Sequence, residues 1–112
     1  MKRYRKIYAL LEERKWKVPG FVLNDQSYWK LSKQAQTYIA RTQPLWIVAE
    51  DPQIGCRIWI TETGGRYGIT TAQLNLKVGS RAYSDSVRRW TPRTQSEAVQ
   101  ILHQLFHKEM AA

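Results

Sequence analysis

His103 and His107 stand four residues apart near the C-terminus, a spacing that on a helix can bring two imidazoles to one metal ion. The zinc-protease form of this pattern has a glutamate directly after the first histidine, and here Gln104 stands there. A helical wheel sets both rings opposite Ile101, Leu102 and Leu105, in solvent and without a third ligand, so neither a metal nor a cofactor is expected. Glu50, Asp51 and Glu62 could in principle hold Mg²⁺ for a nuclease. Such a site also needs a lysine or histidine nearby, but the chain continues Thr63-Gly64, so these read as loop and turn carboxylates. Cys56 has no adjacent histidine or second cysteine, and Gly64-Gly65 lacks the lysine and serine of a phosphate loop. No catalytic site is expected.

A combination of basic and aromatic residues offers a different chemistry. Arg81, Arg88, Arg89 and Arg93 surround Tyr83 and Trp90, while Arg66 and Tyr67 open a strand and Lys77 lies between. Arginine presents a planar donor fork to phosphate or guanine, and tyrosine and tryptophan can stack on unpaired bases. Lys2, Arg3, Arg5 and Lys6 form a second basic block that could lie along a phosphate backbone or dock on an acidic protein face. The whole chain carries 18 Lys and Arg against 9 Asp and Glu, a net charge of +9 with a pI near 10.0. The excess falls in residues 1–17 and 65–93, with a slightly acidic stretch between them. A polyanionic partner follows, nucleic acid first.

These groups must be positioned by a single domain, 1–112, long enough for a core without disulfides or metal. Tyr4, Ile7, Tyr8 and Leu11 form a helical stripe over about 3–15, closed by Pro19-Gly20. A second helix is expected over about 26–41, capped by Asn24 or Asp25, with Tyr28, Leu31, Ala35, Tyr38 and Ile39 on one face and Thr42-Gln43-Pro44 at its end. Leu45-Trp46-Ile47-Val48 reads as a short apolar strand. Residues 57–61 and 66–70 read as a hairpin about Gly64-Gly65. Thr94-Gln95-Ser96-Glu97 is a capping box that starts a helix over about 95–110, with Ala98, Ile101, Leu102 and Leu105 on its apolar face.

The stretch 73–90 admits two readings. Leu74, Leu76 and Val78 alternate with polar residues, as in a strand, and 83–90 then leads back toward the last helix. Alternatively Thr71 and Ser84 cap the two helices of a helix-turn-helix ending at Trp90, which Pro92 would stop after about two turns. The strand reading is preferred, because Asn75 and Val78 are poor helix formers.

The run Ser84-Asp85-Ser86-Val87-Arg88-Arg89-Trp90 resembles the recognition-helix segment of small phage excisionases and related winged-helix proteins. Strands followed by a Thr-x-x-Glu-Ala helix are also similar in layout to the amino-terminal arm-binding domains of tyrosine integrases. Both resemblances imply the DNA biology of phages, plasmids or other mobile elements.

The expected fold is α+β: an antiparallel sheet of three to four strands over about 45–90, with two N-terminal helices and a C-terminal helix packed on it. The expected function is non-catalytic nucleic-acid binding, DNA ahead of RNA. The alternative is a protein-binding module, a phage-type inhibitor or an adaptor in a nucleoprotein complex, whose aromatic surplus forms the interface. One cysteine and the lack of an apolar run of membrane-spanning length lead us to expect a cytoplasmic protein without a membrane partner. Glu12 and Glu13 interrupt the basic start, which does not read as a signal peptide.

Overall fold

A computed structural model describes residues 4–24, 31–42 and 45–111, with side chains described throughout these except at 24, 39, 40, 42 and 108–111. Its elements run α1 (Arg5–Lys17), β1 (Val22–Asn24), α2 (Lys33–Thr42), β2 (Leu45–Asp51), β3 (Cys56–Thr63), β4 (Arg66–Gln73), α3 (Arg81–Ser86), β5 (Arg88–Trp90) and α4 (Gln95–Ala111). The fold is α+β, as expected, but the sheet is larger. Five strands in the order β1-β2-β3-β4-β5 form one antiparallel meander, each hydrogen-bonded to its neighbour in sequence. No helix among the described residues is long and apolar enough to cross a membrane.

The hairpin of β3 and β4 forms where the sequence predicts it. Thr63 faces Arg66 across Gly64-Gly65, whose φ angles of +57° and +83° lie in the region a two-residue hairpin turn requires. Strand alternation then separates two faces. Leu45, Ile47, Ala49, Ile58, Ile60 and Ile69 are buried on one, beneath Ile7, Leu10 and Leu11 of α1 and Ala98, Leu102 and Phe106 of α4. Tyr4, Val18 and Phe21 complete that core.

α1 and α4 lie side by side and run parallel. Near their starts the Lys6 ammonium meets the Ser96 hydroxyl at 3.2 Å, and further along the Arg14 guanidinium lies 4.5 Å from the centre of the Phe106 ring. Tyr4, which precedes α1, provides no side-chain cap. The orphaned amides of Lys6 and Ile7 instead donate to the side-chain oxygen of Gln95, at 3.1 and 3.3 Å. At the start of α4, the Glu97 amide donates to the Thr94 hydroxyl. The Glu97 carboxylate reaches back to the Arg93 amide at 2.9 Å, one residue earlier than a capping box places it.

The predicted second helix is corrected at its start: α2 begins at Lys33, and the Ser32 hydroxyl accepts from the Ala35 amide. Asn24 belongs to β1, paired with Val48, and Asp25, Tyr28, Gln43 and Pro44 lie outside the described residues. Of the predicted apolar face, Leu31 and Tyr38 are exposed and Ala35 is half-buried. Neither reading of 73–90 holds. Residues 74–80 form a turn rather than a strand, with the Leu74 amide donating to the Gly55 carbonyl. Val78, which has no strand opposite, is 67% exposed. Ser80, not Ser84, caps α3 by accepting from the Tyr83 amide, and Thr71 is buried inside β4. Val87 is extended and 88–90 pair with β4, so the segment that resembles a recognition helix is half helix, half edge strand.

Candidate nucleic-acid interface

The face of the sheet turned away from α1 and α4 collects a distinct set of side chains. Register sets Trp46 opposite Thr61 and Gly68, and Val48 opposite Trp59, Thr70 and Arg89 in one row across β2 to β5. Glu50, Arg57 and Ala72 form the next row, and Thr63 and Arg66 lie at the hairpin end. Trp46, Val48, Trp59, Thr61 and Thr70 are half-buried, while Arg66 and Arg89 are exposed. The two indoles are diagonal neighbours on adjacent strands, which places their Cα atoms about 7–8 Å apart.

The far end of this face is closed by α3. Ala72 is only 1% exposed beneath it, and Tyr83 of α3 lies near the Arg57 guanidinium. Arg57 is further anchored by Glu50, whose Oε2 accepts from Nε at 2.8 Å and lies 2.6 Å from Nη2. The hydrogen bond to Glu50 holds the Arg57 guanidinium above its ordinary range, against the opposing effect of burial. So fixed, the guanidinium sits 5.9 Å from the centre of the Trp59 ring. Glu50 is the one carboxylate that β2–β5 direct to this face among the described residues, against Arg57, Arg66 and Arg89. The face therefore carries indoles on β2 and β3, hydroxyls beside them, and arginines on β3, β4 and β5. No protein-family profile, curated protein or solved structure matches the chain.

The residues singled out from sequence divide between the two sides. Arg66 and Arg89 belong to the face opposite α1 and α4, and Tyr83 lies near Arg57 at its end. Tyr67 lies on the helix side, half-buried and edge-on to Tyr4 with ring centres 6.5 Å apart. Trp90, opposite Ile69, packs against the core from the same side. Arg88, opposite Thr71, also falls on that side, and its Nη1 donates to the Asp85 and Val87 carbonyls at 2.9 and 3.0 Å. Arg81 is exposed on α3 with Asp85 3.9 Å away, and Lys77 and Arg93 are exposed in connecting segments. Arg5 and Lys6 are exposed on α1, in the helical layer; Lys2 and Arg3 lie outside the described residues. Among the described residues, the two basic blocks thus do not form one stripe on one face.

Trp46, Trp59 and Arg57 were missed because residues 45–48 read as an apolar strand and 57–61 only as one arm of a hairpin, although their alternation already opposes Trp46 to Ile47 and Trp59 to Ile58 and Ile60. The carboxylates considered for a metal are not brought together. Asp51 is fully buried on the helix side and bound to Arg14, Glu62 accepts from the Tyr4 hydroxyl and the Gly65 amide, and Glu50 lies on the opposite face. His103 and His107 are exposed and stacked with ring centres 6.0 Å apart, and no group of three metal-ligating side chains occurs among the described residues.

Proposed function

We propose that this is a non-catalytic nucleic-acid-binding protein whose contact surface is the face of the sheet opposite α1 and α4. The observation that carries the reading is the cluster of Arg57, Arg66 and Arg89 beside Trp59 on the face of the sheet opposite α1 and α4. Arginines beside an indole offer charge to phosphate and a planar surface to bases.

Fluorescence anisotropy of labelled oligonucleotides across a salt series tests the reading. Three cations meeting phosphate give a slope of log K against log[salt] of about −2 to −3. A protein that binds no oligonucleotide at low salt is not a nucleic-acid-binding protein. A protein partner then becomes the better reading, and one observation already favours that class: Trp16 is 86% exposed on α1 between Lys15 and Lys17. Tryptophan beside basic residues is the composition of an interface anchor.

A further inference from the structure

We infer that the groove between α1 and α4 binds a small organic carboxylate, held by Arg14 and Lys17 over an apolar floor of Leu10 and Phe106. The groove lies in the helical layer, across the sheet from Trp59 and Arg89, and the inference does not depend on the nucleic-acid reading. Leu10, Arg14 and Lys17 of α1 face His103, Phe106 and His107 of α4 around a hollow of about 310 Å³. That volume stands at the lower end of the range ligand sites occupy and suits a small molecule. Arg14 supplies the observation that calls for a ligand. Its side chain is nine-tenths buried, and its Nε donates to Asp51 at 2.7 Å. The guanidinium packs 4.5 Å from the centre of the Phe106 ring, yet its buried Nη2 has no hydrogen-bond partner. A buried donor on a charged group is costly to leave unmet, so this atom points to an acceptor from outside the chain.

Charge and shape select the class of ligand. A guanidinium carries more N–H donors than one carboxylate can use, so Asp51 on Nε leaves Nη2 for a second. Lys17 stands at the rim, its side chain 67% exposed and its ammonium 2.5 Å from Glu13. An exposed pair of this i,i+4 kind is weak, so Lys17 can turn to an incoming anion at little cost. His103 and His107 stand at the α4 side, exposed, with ring nitrogens able to donate a further hydrogen bond. Beneath these groups Leu10 and Phe106 are almost fully buried and form an apolar floor. An inorganic anion would leave that floor uncovered, whereas an alkyl or aromatic body covers it.

NMR titrations of the whole chain with benzoate, hexanoate, hexanamide and inorganic phosphate test the site. Expected are Kd values below about 10 mM for the two acids, within reach of ligands this small. The Arg14 guanidinium protons and the amides of Lys17 and His103 should move most. Hexanamide keeps the body without the charge, phosphate keeps the charge without the body, and each should bind about tenfold more weakly or worse. An acetylated tripeptide ending in a free phenylalanine carboxylate separates two sources of the same chemistry. Tighter binding than benzoate marks a chain terminus as the ligand, weaker binding marks a free acid, and both support the site. Lys17→Glu should weaken benzoate about tenfold or more, while Lys15→Glu changes the net charge equally from outside the hollow and should leave the affinity within about twofold. Both lysines are exposed, so these variants keep the fold where replacing Arg14 would endanger it. The inference is overturned if neither acid moves the Arg14 signals at about 20 mM, if phosphate binds as tightly as the acids, or if the two lysine variants weaken benzoate equally.

Discussion

The exchange of Asp51 for alanine should be among the most damaging single changes in this chain. Asp51 has no solvent exposure, and its Oδ2 accepts from Nε of Arg14 at 2.7 Å. Arg14 is itself nine-tenths buried under Phe106, with Nη2 already lacking a hydrogen-bond partner. Truncating Asp51 leaves that guanidinium desolvated and without its counter-charge, a situation that costs about 3–5 kcal/mol. The Asp51 Oδ1 also accepts from the Gln53 and Ile54 amides at 2.9 and 3.3 Å and so fixes the turn between β2 and β3. Those amides lie nearer solvent, and their loss adds at most about 1 kcal/mol. Against a total stability of about 5–15 kcal/mol for a domain of this kind, Asp51→Ala removes about a fifth or more. Urea denaturation of Asp51→Ala, Arg14→Met and the double variant measures both the cost and the coupling. Each single variant should cost several kcal/mol, and the double variant far less than their sum. If Asp51→Ala costs under about 1 kcal/mol, or the two changes add within about 0.5 kcal/mol, the pair is not desolvated and the reasoning fails.

Three further outcomes are expected. Tyr4→Phe removes a hydroxyl bonded to the buried Glu62 carboxylate and should cost about 1.5–3 kcal/mol in the same urea assay. Gln95→Ala uncovers the amides of Lys6 and Ile7, should cost about 0.5–2 kcal/mol, and should speed hydrogen exchange at those two amides more than elsewhere in α1. The hydrogen bond and charge of Lys17 hold the Glu13 carboxyl below its ordinary value. An NMR titration should therefore find Glu13 titrating below the usual glutamate range and Lys17→Ala restoring it. Because the folded value is depressed, whatever stability this pair contributes is present above the unfolded value and lost as pH falls through the folded one.

Sequence periodicity foretold the elements that carry their own local signals. α1 was legible because Tyr4, Ile7 and Leu11 repeat at helical spacing, the β3–β4 hairpin because Gly64-Gly65 supplies the turn, and α4 because Thr94 and Glu97 mark its start. β1 was not, since three residues carry no pattern and the strand exists only through pairing with residues 48–50. The alternation Leu74, Leu76, Val78 misled because alternation makes a strand only where another strand has a free edge. Here β5 takes the edge of β4 at residues 69–71 instead. The basic and aromatic character of a contact surface was visible in the composition, but its location was not. Which indole faces a core and which faces outward is set by register, so Trp90 turns inward and Trp59 turns outward.

The cap that Gln95 provides to α1 has a consequence for the order in which the molecule assembles. α1 carries no side-chain cap of its own, and its Lys6 amide waits for a side chain 89 positions later. Bringing those ends together costs about 4 kcal/mol of chain entropy if nothing between them is ordered. The intervening meander removes most of that cost, since each of its strands pairs with the next in sequence and can zip from the Gly64-Gly65 turn outward. α1 therefore gains the partners of its first amides only where α4 has docked beside it, which couples the two helices' stability across the meander between them.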